Sequence, residues 1–171
     1  MKLSWQAAAL NPRSEGSGAY IGVEHVVQGA YGEEHVRAPN EMTDTYAELV
    51  RRIEELSRLE ANWDSYGAPP LSRKAVATAQ GLLRKVMANL GSTVGEGARP
   101  FAIAPMRDGG IQVEWRTARR KIELEIGPEG RFGCLLIEKQ GGERRFKEED
   151  DVPQKRVLAL VREVLTTEPP T

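Results

Sequence analysis

The chain has 171 residues, 40% of them hydrophobic and 29% charged, which is ordinary for a folded globular protein and too apolar for a fully disordered one. Its 24 basic and 25 acidic residues give a formal net charge of -1. This balance argues against a dedicated nucleic-acid binder, because that class usually shows a clear basic excess. The single cysteine, Cys134, excludes a disulfide within the chain and favours a reducing, cytoplasmic location.

Residues 1–42 are rich in glycine and poor in branched apolar residues, unlike the rest of the chain. The stretch 19–27 has a strand-like pattern that Gly22 weakens, so either a short hairpin or an arm that orders only on a partner is expected. The only histidines, His25 and His35, match no strong zinc spacing. We therefore expect isolated surface imidazoles, with no metal and no other cofactor.

The apolar start of the chain superficially resembles a signal peptide, but Ser4 and Gln6 interrupt it, so no signal peptide is expected. No apolar run in the sequence is long enough for a membrane-spanning helix, so no membrane association is expected either.

Two amphipathic helices are predicted after the arm. Thr43 is expected to cap the first, with Asp44 at the positive end of the helix dipole. Its apolar stripe repeats at helical spacing and consists of Leu49, Ile53, Leu56 and Leu59. Ser72 is expected to cap the second helix, which should end near Gly91. The apolar stripe of this helix consists of Val76, Ala79, Leu82, Leu83, Val86, Met87 and Leu90.

The hydrophobic period then changes from about 3.6 to 2, which predicts strands near residues 101–105, 111–115, 122–126 and 132–136. Short turn sequences separate these runs, so neighbouring strands should be antiparallel. Acidic residues 148–151 are expected to cap a last helix, whose apolar face consists of Val157, Leu158, Val161, Val164 and Leu165.

The sequence therefore predicts an α+β fold with two layers. A three- to four-stranded antiparallel meander would be backed by helices in the order α-α-β-β-β-β-α. We expect an arm or hairpin over 1–42, the α+β domain over 43–166 and a tail over 167–171.

Two motifs stand out in the predicted domain. The first is a corner, Asn62-Trp63-Asp64-Ser65-Tyr66-Gly67-Ala68, and the second is a turn entering a strand, Asp108-Gly109-Gly110-Ile111-Gln112-Val113-Glu114-Trp115. Over residues 55–150 the chain resembles a scattered family of small bacterial and phage-borne proteins that share these motifs, with glycine where this chain has Ser65. The family has no agreed activity, so the resemblance implies no functional residue. It favours antitoxin, immunity or phage-defence accessory roles.

Both motifs admit a structural and a functional interpretation. An aromatic-flanked carboxylate formed by Trp63, Asp64 and Tyr66 could grip a ligand, but the pattern is more typical of a packed corner whose aspartate binds turn amides. A fully buried Trp63 would contribute about 3–5 kcal/mol over alanine. Asp108 fits a tight turn. We expect no catalytic residue, and motif positions Gly67, Gly109, Gly110 and Trp115 are interpreted as structural.

Other reactive side chains have similar ordinary explanations. Glu114, Glu123 and Glu125 should share the solvent face of the sheet with Arg116 and Lys121 and pair with them across strands. Cys134 lies within an apolar strand and is expected to be an inert small hydrophobe.

Positive charge concentrates at two places, 116–121 and 144–147. If both lie at one end of the sheet, they could contact an acidic partner or nucleic-acid phosphates. The candidate partner-binding residues are Arg116, Arg119, Arg120, Arg144 and Arg145. Our leading hypothesis is a non-catalytic interaction protein that docks onto a protein partner or associates with itself. The alternatives are a nucleic-acid-associated regulator that uses the basic hairpin, and an enzyme with Asp64 or Asp108 as its acid or base.

Overall fold

The computed structural model describes residues 39–140 and 142–166, with side chains from residue 44 onward. It contains helices α1 (Pro39–Ser57), α2 (Arg73–Val94) and α3 (Gln154–Thr166), with a 3-10 turn at Gly95–Ala98. The strands are β1 (Ala102–Pro105), β2 (Ile111–Arg116), β3 (Arg120–Ile126), β4 (Phe132–Gln140) and β5 (Glu143–Glu149). The predictions for the arm or hairpin, for His25 and His35, and for the tail lie outside the described residues.

The strands form one antiparallel sheet in the order β1-β2-β3-β4-β5, so each strand pairs with its neighbours in sequence. The predicted α+β meander is confirmed, but the sheet has five strands instead of three to four. The additional strand is β5, which has a single apolar residue, Phe146. Hydrophobic alternation cannot reveal such a strand, because the strand buries neither face.

The core lies between the helices and one face of the sheet. Strands β2, β3 and β4 bury alternate residues, and Trp115 at the end of β2 is completely buried. The Trp115 indole N–H donates a hydrogen bond to the carbonyl of Ala98, at 2.9 Å. Since a buried indole needs a partner for its N–H, this bond fixes the 3-10 turn over the end of the sheet.

Three predicted element ends were wrong. Helix α1 begins at Pro39, four residues before the expected cap at Thr43, and α2 continues past Gly91 to Val94. Gly91 is buried in α2, so close packing there outweighs the low helix propensity of glycine. Glu148 and Glu149 belong to β5 and precede α3 by several residues, so they do not cap it.

Among residues 39–140 and 142–166, none of the helices combines the length and the apolar character that crossing a membrane would require.

Candidate functional site

The corner that follows α1 is organised around the carboxylate of Asp64. Its Oδ1 accepts hydrogen bonds from the amides of Tyr66, at 2.8 Å, and Ala68, at 3.1 Å. Its Oδ2 accepts from Nε of Arg107, at 2.7 Å. Asp64 therefore binds turn amides as predicted, and its second oxygen forms an ion pair with the guanidinium of Arg107.

This environment changes the acidity of Asp64. Desolvation in the corner acts to raise the pKa of Asp64, but the amides of Tyr66 and Ala68 and the guanidinium of Arg107 outweigh it and hold the pKa below its usual range. The carboxylate is consequently ionised at neutral pH. A general acid requires the opposite shift, so this group is suited to holding the corner together.

The aromatic residues of the corner are more exposed than those of a core. Trp63 is half-buried, and its indole N–H donates to the carbonyl of Pro69, at 3.2 Å. Trp63 is therefore not buried enough to contribute the 3–5 kcal/mol over alanine that full burial would give. Tyr66 is 81% exposed, and the guanidinium of Arg107 lies over its ring, 4.7 Å from the centroid.

The segment that follows the first motif contacts the second motif. The amide of Ser72, the residue that caps α2, donates to the carbonyl of Gly109, at 2.8 Å. A Cβ atom on Gly109 would lie 3.0 Å from the carbonyl oxygen of Pro70. The Ser72 hydroxyl also donates to the carbonyl of Pro128 in the β3–β4 turn, at 2.6 Å. The corner thus fastens the helices to two hairpin turns, which gives Gly109 and its neighbours a structural role.

Asp108 is bound within its own turn and lies beside a shallow cavity. Its Oδ1 accepts from the amide of Gly110, at 2.8 Å. The cavity, of about 400 Å³, is also lined by Glu125, Asp150, Asp151 and Arg131, but not by Asp64. The described residues contain no group of three or more histidine, cysteine, aspartate or glutamate side chains that could hold a metal. The two candidate acid–base residues therefore do not converge on one pocket.

All five candidate arginines lie at the opposite end of the sheet. In the meander, the β2–β3 and β4–β5 turns are at the same end, and the amide of Lys139 donates to the carbonyl of Arg119, at 2.8 Å. We call this end, with Arg116, Arg119, Arg120, Arg144 and Arg145, the arginine end. The topology thus brings together the two basic clusters that lie apart in sequence.

The arginines of this region differ in how many contacts they make within the fold. Arg120 is half-buried, pairs with Glu138 at 3.1 Å and donates to the carbonyl of Glu163, so it is part of the fold. Arg116 lies over the ring of Phe101, 3.1 Å from its centroid. Arg119, Arg144 and Arg145 are exposed and form no ion pair within the described part of the chain. These last three are available to a partner.

The sheet face turned away from the helices, here called the open face, has an acidic centre. Lys121 pairs across strands with Glu114 at 2.9 Å, as predicted, and within β3 with Glu123 at 2.7 Å. Burial acts to lower the pKa of Lys121, but the two carboxylates outweigh it and raise that pKa. Glu125 lies on the same face of β3, two residues beyond Glu123.

An apolar patch on the open face was missed at the sequence level. Leu135 and Ile137 of β4 point to this face, because Cys134 and Leu136 between them are buried under the helices. Phe146 lies directly opposite Ile137 and is 63% exposed. Lys139 and Arg144 form the next cross-strand pair toward the arginine end. We call these five residues the β4–β5 patch. Two apolar residues at alternate, outward positions of β4 were the available sign of it.

Cys134 behaves as predicted for a buried thiol. It faces the helices, and its burial together with the charge of Glu149 raises the pKa of the thiol. A raised pKa keeps the sulfur protonated and poorly nucleophilic.

Comparison of the chain with protein-family models, with curated proteins and with solved structures finds no match. The family resemblance therefore stays a prediction.

Proposed function

We propose that this protein is a non-catalytic binding module that docks onto a protein partner through the β4–β5 patch. The observation that carries the proposal is an exposed phenylalanine beside two aliphatic side chains and an unpaired arginine, on a sheet face that the described helices leave uncovered. Aromatic residues and arginine are the side chains that most often dominate the energy of protein interfaces.

The charge distribution indicates the kind of protein surface that fits. Lys139 and Arg144 lie at one side of the apolar side chains, so the partner should present acidic groups around an apolar centre. The acidic middle of the open face, with Glu114 and Glu123 about Lys121, would repel a phosphate backbone that crossed the sheet. This favours a protein partner over a nucleic acid.

The test compares two exposed aromatic side chains, one on the edge strand β5 and one in the corner. Phe146→Ser removes the centre of the patch, whereas Tyr66→Ser removes an even more exposed ring from the corner. Wild-type and variant chains would each capture proteins from the native host, followed by mass spectrometry. A stoichiometric protein retained by wild type and Tyr66→Ser, but lost with Phe146→Ser, is the expected result. Equal capture by all three chains, or no protein captured by any of them, would contradict the proposal.

A nucleic-acid partner is the second candidate, because three exposed arginines at the arginine end form no ion pair within the described residues. If this alternative is correct, a labelled single- or double-stranded oligonucleotide should bind at low salt and dissociate steeply as salt rises. Arg119→Ala should then reduce the salt dependence. Absence of binding at low salt would eliminate this candidate.

The enzyme hypothesis has the least support, because hydrogen bonds within their own turns engage both Asp64 and Asp108. An antitoxin, immunity or defence accessory role is one setting in which a docking module of this kind would act, and it depends on the motif resemblance alone.

A further inference from the structure

Strand β5 forms one edge of the sheet, and every residue of it except Glu149 is exposed. Helix α3 packs mainly on β2, β3 and β4, so β5 extends beyond it. Between them lies a groove of about 200 Å³ with Leu136 and Leu160 among its lining residues. The backbone edge of β5 and this groove are therefore both accessible to another strand.

Apart from Glu143 at its start, the charges along β5 are separated by sign, because the basic residues Arg144, Arg145 and Lys147 all precede the acidic ones. Arg144 and Arg145 lie in its first half, and Glu148 and Glu149, followed by Asp150, lie at its end. Charged residues on an edge strand normally oppose pairing with other strands. When the signs are separated along the strand, however, an antiparallel copy of the same strand brings unlike charges together.

We propose that two copies of this chain associate through antiparallel pairing of their β5 strands, which gives a continuous sheet across a two-fold axis. In the register centred on Lys147, Arg145 of each copy faces Glu149 of the other, and Arg144 faces Asp150. The like-charged pairs of this register are Lys147 with its own counterpart at the two-fold axis and Glu143 with Asp151. The register centred on Phe146 would instead place Arg145 against Lys147 and Glu143 against Glu149, and its only unlike pair would be Arg144 with Glu148. Parallel pairing would align like charges. Of these three arrangements, only the register centred on Lys147 has more unlike pairs than like pairs.

The proposed register has two further consequences for packing. On the helix side, the second strand would fill the space beside α3, where each groove offers Leu136 and Leu160. On the open face, the two Phe146 rings would be diagonal neighbours across the new strand pair, about 7–8 Å apart at the backbone, which is within reach of aromatic side chains. The two β4–β5 patches would then form one continuous surface.

A charge exchange tests this proposal independently of any partner protein. Arg145→Glu and Glu149→Arg each place like charges opposite each other in their own dimers, while a mixture of the two variants restores both unlike pairs. Sedimentation equilibrium of the full chain should show a dimer for wild type and a dissociation constant raised roughly tenfold or more for each variant alone. The mixture should recover the dimer. Arg84→Glu, an equal charge change on the exposed side of α2, should leave it unchanged.

Several results would overturn the proposal. A wild-type chain that stays monomeric at the highest concentration measured would do so, as would a dimer that neither variant weakens or a mixture that does not recover. Glu149 also pairs with Lys147 and Arg156, so folding of its variant must be checked by circular dichroism. If that variant is unfolded, Arg144→Glu and Asp150→Arg provide the equivalent exchange. A monomer that still loses a bound protein on Phe146→Ser refutes the dimer and leaves the docking proposal intact.

Discussion

Arg107 donates from Nε to Oδ2 of Asp64, at 2.7 Å, and so connects the first motif to the turn that enters the second, across 43 residues. The ion pair lies where the helical corner meets the β1–β2 turn, beside the backbone hydrogen bond from Ser72 to Gly109. These contacts attach the helical layer to the sheet, which accounts for the prominent residues of the corner and the turn. The candidates for function are therefore the β4–β5 patch and the arginine end.

The charge of Asp64 should make this attachment sensitive to pH. Because the folded-state pKa of Asp64 is lowered, its stabilisation is present above the unfolded value of about 3.9 and is lost as pH falls through the folded pKa. Asp64→Asn keeps an oxygen for the amides but removes the ion pair with Arg107. Thermal unfolding should show a clear loss of stability at pH 7 and a much smaller one at pH 3. An equal difference at both pH values would show that the charge is unimportant.

Two glycines have nearly the same φ but different surroundings, so substitutions at them distinguish backbone strain from steric contact. Gly67 has φ of 89° and nothing within 4 Å of a built Cβ atom, whereas Gly109 has φ of 88° and the carbonyl oxygen of Pro70 at 3.0 Å. Gly67→Ala should cost about 1 kcal/mol of unfolding free energy through its left-handed backbone. Gly109→Ala should cost about 1–3 kcal/mol more, because the corner must move away from the turn. Urea unfolding measures both, and equal losses would mean that the contact with Pro70 is not tight.

Replacing Ser65 by glycine should stabilise the protein. It has φ of 64°, a conformation that disfavours side chains. Ser65→Gly should therefore raise the free energy of unfolding by up to about 1 kcal/mol. Ser92→Gly, an exposed position within α2, serves as the control and should lower it by about 0.5–1 kcal/mol. Destabilisation by both substitutions would contradict the assigned backbone conformation.

Substitution by phenylalanine should lower the unfolding free energy by different amounts at the two tryptophans of the motifs. Trp115→Phe leaves the carbonyl of Ala98 without its buried donor and opens space in the core, so a loss of about 2–4 kcal/mol is expected. Trp63→Phe breaks a longer bond, to Pro69, at a half-buried site, and should cost less than about 1.5 kcal/mol. Chemical unfolding of both variants decides the order, and a larger loss at Trp63 would reverse the roles assigned here.

Sequence reasoning succeeded where burial is periodic and failed where it is not. The stripe of α2, its cap at Ser72, the alternation of β2 to β4 and the amide bonds of Asp64 follow from local patterns. Strand β5 has one apolar residue, so its pairing with β4 depends on backbone hydrogen bonds that no hydrophobic pattern reports. The sequence predicted the arginine end only on the condition that both basic clusters lie at one end of the sheet. Whether they do depends on the order of the strands. The β4–β5 patch depends on which face the helices cover, and that is a tertiary property.

The meander also determines how the sheet can form. Each strand finds its partner across a connection of a few residues, so no pairing within the sheet requires the closure of a long loop. The distant contacts are those of the helices, such as Ser72 with Pro128 and Trp115 with Ala98. Hairpins can therefore form in sequence order, and these local pairings favour rapid formation of the sheet, with little time spent exposing unpaired strands.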